Sequence, residues 1–91
     1  MTEAYAFEVK KTLKQKLRRI RKKDTPFFEA VKRKMAQVIE HPTHYKPLRS
    51  NLKGVRRVHV KSSFVLLFTV DEVERVVSFV DLNHHDVVYK K

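Results

Sequence analysis

The chain contains no cysteine and no tryptophan, and only one glycine, Gly54, and three prolines, Pro26, Pro42 and Pro47, among its 91 residues. Without cysteine there can be no disulfide, no thiolate zinc site and no cysteine nucleophile, so the fold stands on packing alone and the redox compartment is left open. A single glycine cannot build a Walker A loop, a GxGxxG turn or a GxSxG elbow, which removes the NTPases, dinucleotide enzymes and serine hydrolases that depend on them. The same scarcity leaves no room for a flexible linker, and no internal repeat or low-complexity tract interrupts the chain. Long hydrophobic runs are missing as well. The longest, Phe64 to Phe68, is far short of the roughly 20 residues of a membrane span, and the opening Met-Thr-Glu has no apolar signal-peptide core. A soluble, cytoplasmic protein with no membrane partner is expected.

Acidic residues are also few: 10 Asp and Glu face 21 Lys and Arg, leaving a net charge of +11. Such an imbalance suits a chain that meets a polyanion, and a nucleic acid is the first partner to consider. Hydrophobic residues at 42% and aromatics at 10% are too many for a disordered basic tail. Residues 1–91 therefore read as one small folded domain, of a size that buries roughly 60–65% of its unfolded surface.

Tyr5, Phe7 and Val9 alternate within residues 4–9 and predict a short strand. From Lys10 to Lys23 the apolar positions are Leu13, Leu17 and Ile20, the spacing of a helix with one narrow apolar stripe. Asp24-Thr25-Pro26 reads as a stop and restart, with Asp24 or Thr25 as N-cap and proline tolerated in the first turn. A second helix is predicted from Pro26 to Ile39, with Phe28, Val31, Met35 and Val38 as its stripe, reinforced by Phe27 and Ile39, and Pro42 ending it. The period then changes to that of strands. Val55 to Val60 alternates, Phe64 to Val70 is continuously apolar, and Val73 to Leu82 is rich in Val and Phe, giving three strands whose short links favour antiparallel hairpins. Residues 84–89 could add a short strand or cover one end of the sheet. The expected class is α+β, in the order β-α-α-β-β-β, with a helical hairpin packed on one face of a small antiparallel sheet.

Nine of the fourteen residues from Lys10 to Lys23 are Lys or Arg, enough to neutralise several phosphates, although a solvated helix face explains them equally well. A second basic set comprises Lys46, Arg49, Lys53, Arg56, Arg57 and Lys61. Strand alternation turns Val58 and Val60 inward and sends Arg57, His59 and Lys61 to the other face, so an imidazole stands between two cations. Imidazole exchanges protons near neutrality and can serve a phosphate-bearing substrate, while the plainer reading is a surface histidine. His84, His85 and Asp86, with Tyr89 following, form another cluster, in which Asp86 could orient an imidazole and Tyr89 could equally be a core aromatic. The five histidines show no accepted metal-ligand spacing. Compatible with so small a basic domain is RNA cleavage without metal or other cofactor: a base takes a 2′-OH proton, the oxygen attacks phosphorus, an acid protonates the leaving 5′-oxygen, and cations steady the phosphorane.

The run from His44 to Val60 (HYKPLRSNLKGVRRVHV), the strand Phe64 to Phe68 (FVLLF) and the ending His85 to Tyr89 (HDVVY) resemble the RelE/ParE superfamily of toxin–antitoxin toxins, and within it the YafQ-like branch. The resemblance covers residues 44–89, and the helical hairpin before them fits in length and charge. It implies a ribonuclease toxin that enters the ribosomal A site, cleaves mRNA there, and is silenced by an acidic antitoxin in a hetero-oligomer. It further implies catalytic roles for His59 and His85, substrate placement by Tyr89, and phosphate contacts at Arg56 and Arg57. Lys46 stands where the branch carries a further histidine, with His44 a substitute two residues upstream. Two positions depart from the pattern: Ser63 replaces the branch's acidic residue, and Val65 replaces an arginine of RelE-type members. Those departures keep a second expectation in view, a non-catalytic ParE-like inhibitor of DNA gyrase or an inactive relative that only binds nucleic acid and antitoxin.

Overall fold

A computed structural model describes residues 5–45 and 54–88. Strand β1 (Ala6–Val9) leads through Lys10, whose N–H donates to the Phe79 carbonyl at 2.9 Å, into helix α1 (Lys11–Lys23). Asp24 then serves both helices. Its N–H closes the last turn of α1 on the Ile20 carbonyl, and its carboxylate caps helix α2 (Thr25–Glu40) by accepting the Phe27 N–H at 3.1 Å. Proline in the first turn of α2 lacks only an N–H that would have had no helical partner. A 3-10 turn, Pro42–His44, ends the hairpin.

The remaining elements are β2 (Val55–Val60), β3 (Phe64–Asp71), β4 (Val76–His84) and a final turn of helix, α3 (His85–Val88). The third of these strands starts three residues later than the apolar pattern suggests, because Asp71 Oδ1 accepts the N–H groups of Val73 and Glu74 and folds that segment into a turn. Val73 is consequently 89% exposed, and Arg75 takes a left-handed φ of 59° to re-enter the sheet. The residues after β4 coil into α3 instead of extending.

Strand order is β1-β4-β3-β2. The expected antiparallel hairpins are present as β2–β3 and β3–β4, and β1 joins parallel to β4, from Ala6↔Val76 to Val9↔Phe79, so the four-stranded sheet is mixed. The β3–β4 register steps from Phe68↔Phe79 to Leu67↔Asp81, leaving Val80 as a bulge. A bulge bends its strand and redirects the residues beyond it.

Both α1 and α2 cover one face of the sheet. Leu13, Val31, Met35 and Val38 meet Val58, Val60, Leu66, Phe68, Val77, Phe79 and Leu82 in a single core, with Leu17, Ile20, Phe27 and Ile39 at its margin. Phe28 stands outside this cluster, half-buried beside the Arg21 and Lys32 side chains.

One polar junction ties the helix layer to β4. Lys16 Nζ lies 2.8 Å from Asp81 Oδ1, and Asp81 also accepts from the Leu82 N–H and the Asn83 amide. Burial alone would raise the Asp81 pKa, but the Lys16 hydrogen bond, these two further bonds and the Lys16 charge together hold it below the usual carboxylate value. A depressed folded-state pKa contributes stability above the unfolded value, about 3.9, and that contribution is lost as pH falls through the folded value. Chemical denaturation should therefore show a shallower acid loss of stability below about pH 4 for Asp81→Asn than for the native chain.

Candidate active site

Alternation along β2 sets two opposite faces. Val58 and Val60 enter the core, Arg56 shares their side, and Arg57 and His59 emerge on the face away from the helices. In the ladder His59 pairs with Val65, and Val65 with Asn83. Two residues beyond Asn83 the chain turns into α3, and His85 is its first residue. The His85 N–H donates to the Ser63 carbonyl at 2.6 Å, fastening the start of α3 to the β2–β3 turn.

This arrangement brings the His59 and His85 rings to 5.7 Å between centroids, with 31° between their planes. Val65, the ladder partner of both His59 and Asn83, is wholly buried. Asp86 flanks the site: its carboxylate oxygens lie 3.8 Å from Nδ1 of both His84 and His85, within ion-pairing range of a protonated ring but beyond a hydrogen bond. His84 Nδ1 accepts the Asp86 N–H at 3.1 Å, and its ring packs edge-on against Phe64. Only His85 of the two adjacent histidines therefore meets His59.

Of the phosphate-binding candidates, Arg57 lies on the His59 face and Lys61 comes next in the turn, exposed and at a left-handed φ of 57°. Arg56 is directed elsewhere. Its Nη1 donates to the Tyr45 carbonyl at 2.7 Å, bracing the end of the helical hairpin against β2. Lys46, Arg49, Lys53 and Tyr89 lie outside the described residues. Among the described residues no group of three or more His, Asp or Glu side chains could hold a metal ion, and no helix is long and apolar enough to cross a membrane. In the sequence Ser63 and Val65 stand out only as departures from the family pattern; that the Ser63 carbonyl anchors His85 and that Val65 lies across from His59 is set by the strand register.

Residues 7–89 match the family described as "ParE toxin of type II toxin-antitoxin system, parDE". The chain belongs to this toxin family. A protein of Methanocaldococcus jannaschii named "Putative toxin RelE4" is 44% identical, over 96% of this chain and 93% of its own. Two solved complexes have the same fold. In the RelBE2 toxin–antitoxin complex of Mycobacterium tuberculosis the matching chain superposes with a TM-score of 0.76 at 20% identity, over 91% of this chain and 100% of that one. In the DinJ–YafQ toxin–antitoxin complex of E. coli the corresponding values are 0.72, 17%, 96% and 99%. The family match thus extends the resemblance of residues 44–89 through the helical hairpin.

Proposed function

We propose that this member of the toxin family is an endoribonuclease that cuts ribosome-bound mRNA by 2′-OH attack without a metal ion. The observation that carries the reading is the pair of imidazoles, from β2 and from α3, held 5.7 Å apart on a basic face. One ring takes the 2′-OH proton as that oxygen bonds to phosphorus. The other gives a proton to the 5′-oxygen as its bond to phosphorus breaks, so the products are a 2′,3′-cyclic phosphate and a 5′-hydroxyl. Arg57 and Lys61 stabilise charge on the phosphorane, and the family resemblance and the second basic set of the sequence add Lys46, Arg49, Lys53 and Tyr89 as residues that serve the substrate. Arg56, turned to the Tyr45 carbonyl, supports the fold of this region.

Support comes also from the family match and from the two neighbours solved with antitoxins. A chain of net charge +11 suits an acidic, partly disordered antitoxin that folds as it binds, in the cytoplasm where ribosomes are met. Incubating the purified protein with programmed ribosomes should yield mRNA fragments whose 3′ ends are cyclic phosphates. Absence of such ends, with the protein folded and the ribosomes translating, overturns the reading. The family's ParE description and the buried Val65, where RelE-type members carry arginine, favour a second reading, a non-catalytic toxin directed at gyrase. Inhibited supercoiling with intact mRNA would select it.

A further inference from the structure

The basic helix α1 spends one of its cations on the fold. Lys16 Nζ donates to Asp81 Oδ1 at 2.8 Å, to the Leu82 carbonyl at 3.0 Å and to Asn83 Oδ1 at 2.8 Å, and the Asn83 amide closes the ring onto Asp81 Oδ2 at 3.2 Å. All three of its acceptors belong to consecutive residues that end one position before His84 and two before His85.

The reason β4 needs a grip there is topological. Pairing with β1 stops at Val9↔Phe79, and the bulge at Val80 redirects residues 81–84. Beyond Phe79 the outer edge of β4 has no strand beside it among the described residues. Leu82 shows the consequence: its N–H is taken by Asp81 Oδ1 and its carbonyl by Lys16, both outside the ladder. Asp81 and Lys16 together thus do for this edge what a neighbouring strand would do, and Lys16 commits its three donors to the segment.

We propose that Lys16 is a positioning residue for the imidazole pair, fixing the end of β4 from the helix layer and thereby the place of His85 against His59. The inference rests on the acid–base reading of that pair. On the β3 side the end of β4 is held by the ladder from Leu67↔Asp81 to Phe64↔His84 and by the bond from the His85 N–H to the Ser63 carbonyl, and on the other side by the Lys16 clamp. Loss of the clamp leaves the end of β4 held on the β3 side alone. Because displacing a reacting group by about 1 Å costs on the order of 100-fold in rate, the clamp acts on turnover and leaves substrate binding to other residues.

The test compares the native chain with Lys16→Met and with Lys32→Met, which removes the same charge from an exposed position on α2. Two quantities are read: the proton NOE between the His59 and His85 rings in the free protein, and kcat and KM for mRNA cleavage on ribosomes. Lys16→Met is expected to weaken the NOE and to lower kcat about 10- to 100-fold, with KM changing less than about twofold. Lys16→Arg, which keeps charge and donors, should recover part of both, and Lys32→Met should change neither. If Lys16→Met fails to fold, Asn83→Ala removes one of the three acceptors and is read in the same way. An unchanged NOE and an unchanged kcat in the folded variant overturn the positioning role. A weakened NOE in a protein whose native form cuts no RNA keeps the positioning role and removes the ribonuclease reading, so the two fail separately.

Discussion

His85→Ala is expected to cut ribosome-bound mRNA about 10²- to 10⁴-fold more slowly than the native chain, the range that a positioned proton-transfer group contributes. The protein should stay folded. His85 belongs to an exposed, single-turn helix, and the backbone bond from its N–H to the Ser63 carbonyl survives the substitution, so the change in stability should be within about 0.5 kcal/mol. Thermal unfolding beside single-turnover cleavage separates the two quantities. His59→Ala should behave alike. If the two imidazoles work as a unit, the double variant will be little slower than either single one, because losing one member already disables the pair. A cleavage rate within a few-fold of native in His85→Ala would remove it from the chemistry.

The largest effect on stability is expected from Phe79→Ala. Phe79 is wholly buried, lies 6.1 Å from the rings of both Phe68 and Phe7, and pairs with Val9 where β1 ends. Removing a buried phenyl ring from such a site costs about 3–5 kcal/mol, the lost transfer energy plus the cavity left behind. Against a total of roughly 5–15 kcal/mol for a small domain, this is enough to bring the chain near unfolding at 37 °C. Urea denaturation should show a large fall in the midpoint at a similar slope. Phe79→Leu, which keeps most of the volume, should lose much less. A cost below about 1 kcal/mol for the alanine variant would mean that the neighbouring helices collapse into the space.

Local periodicity made most of the fold legible. Strand β2 occupies Val55–Val60, as alternation marks it, and the helix pair has its expected stripes, Phe28 excepted, because each apolar residue is placed by its own neighbours in sequence. Features set by distant partners were hidden. Nothing in residues 4–9 says that β1 lies parallel to β4, the bulge at Val80 is invisible in an apolar run, and the turn at Val73 depends on the Asp71 carboxylate. The site shows the same division. Alternation separates Arg57 and His59 from Val58 and Val60, and by the same parity Arg56 belongs to the core side, where the structure finds it. The meeting of His59 with His85 requires the β3–β4 register and the coil of α3. Lys16 is indistinguishable in sequence from the other cations of α1 and is singled out only by what lies across from it.

The parallel pairing of β1 with β4 joins residues seventy positions apart, such as Glu8 and Ser78. Closing so long a loop is entropically costly and comes after the nearer contacts of the helical hairpin and the β-meander. The outer edge of the sheet, where β1 docks, is therefore expected to close last, after the helical hairpin and the β2–β3–β4 meander are in place.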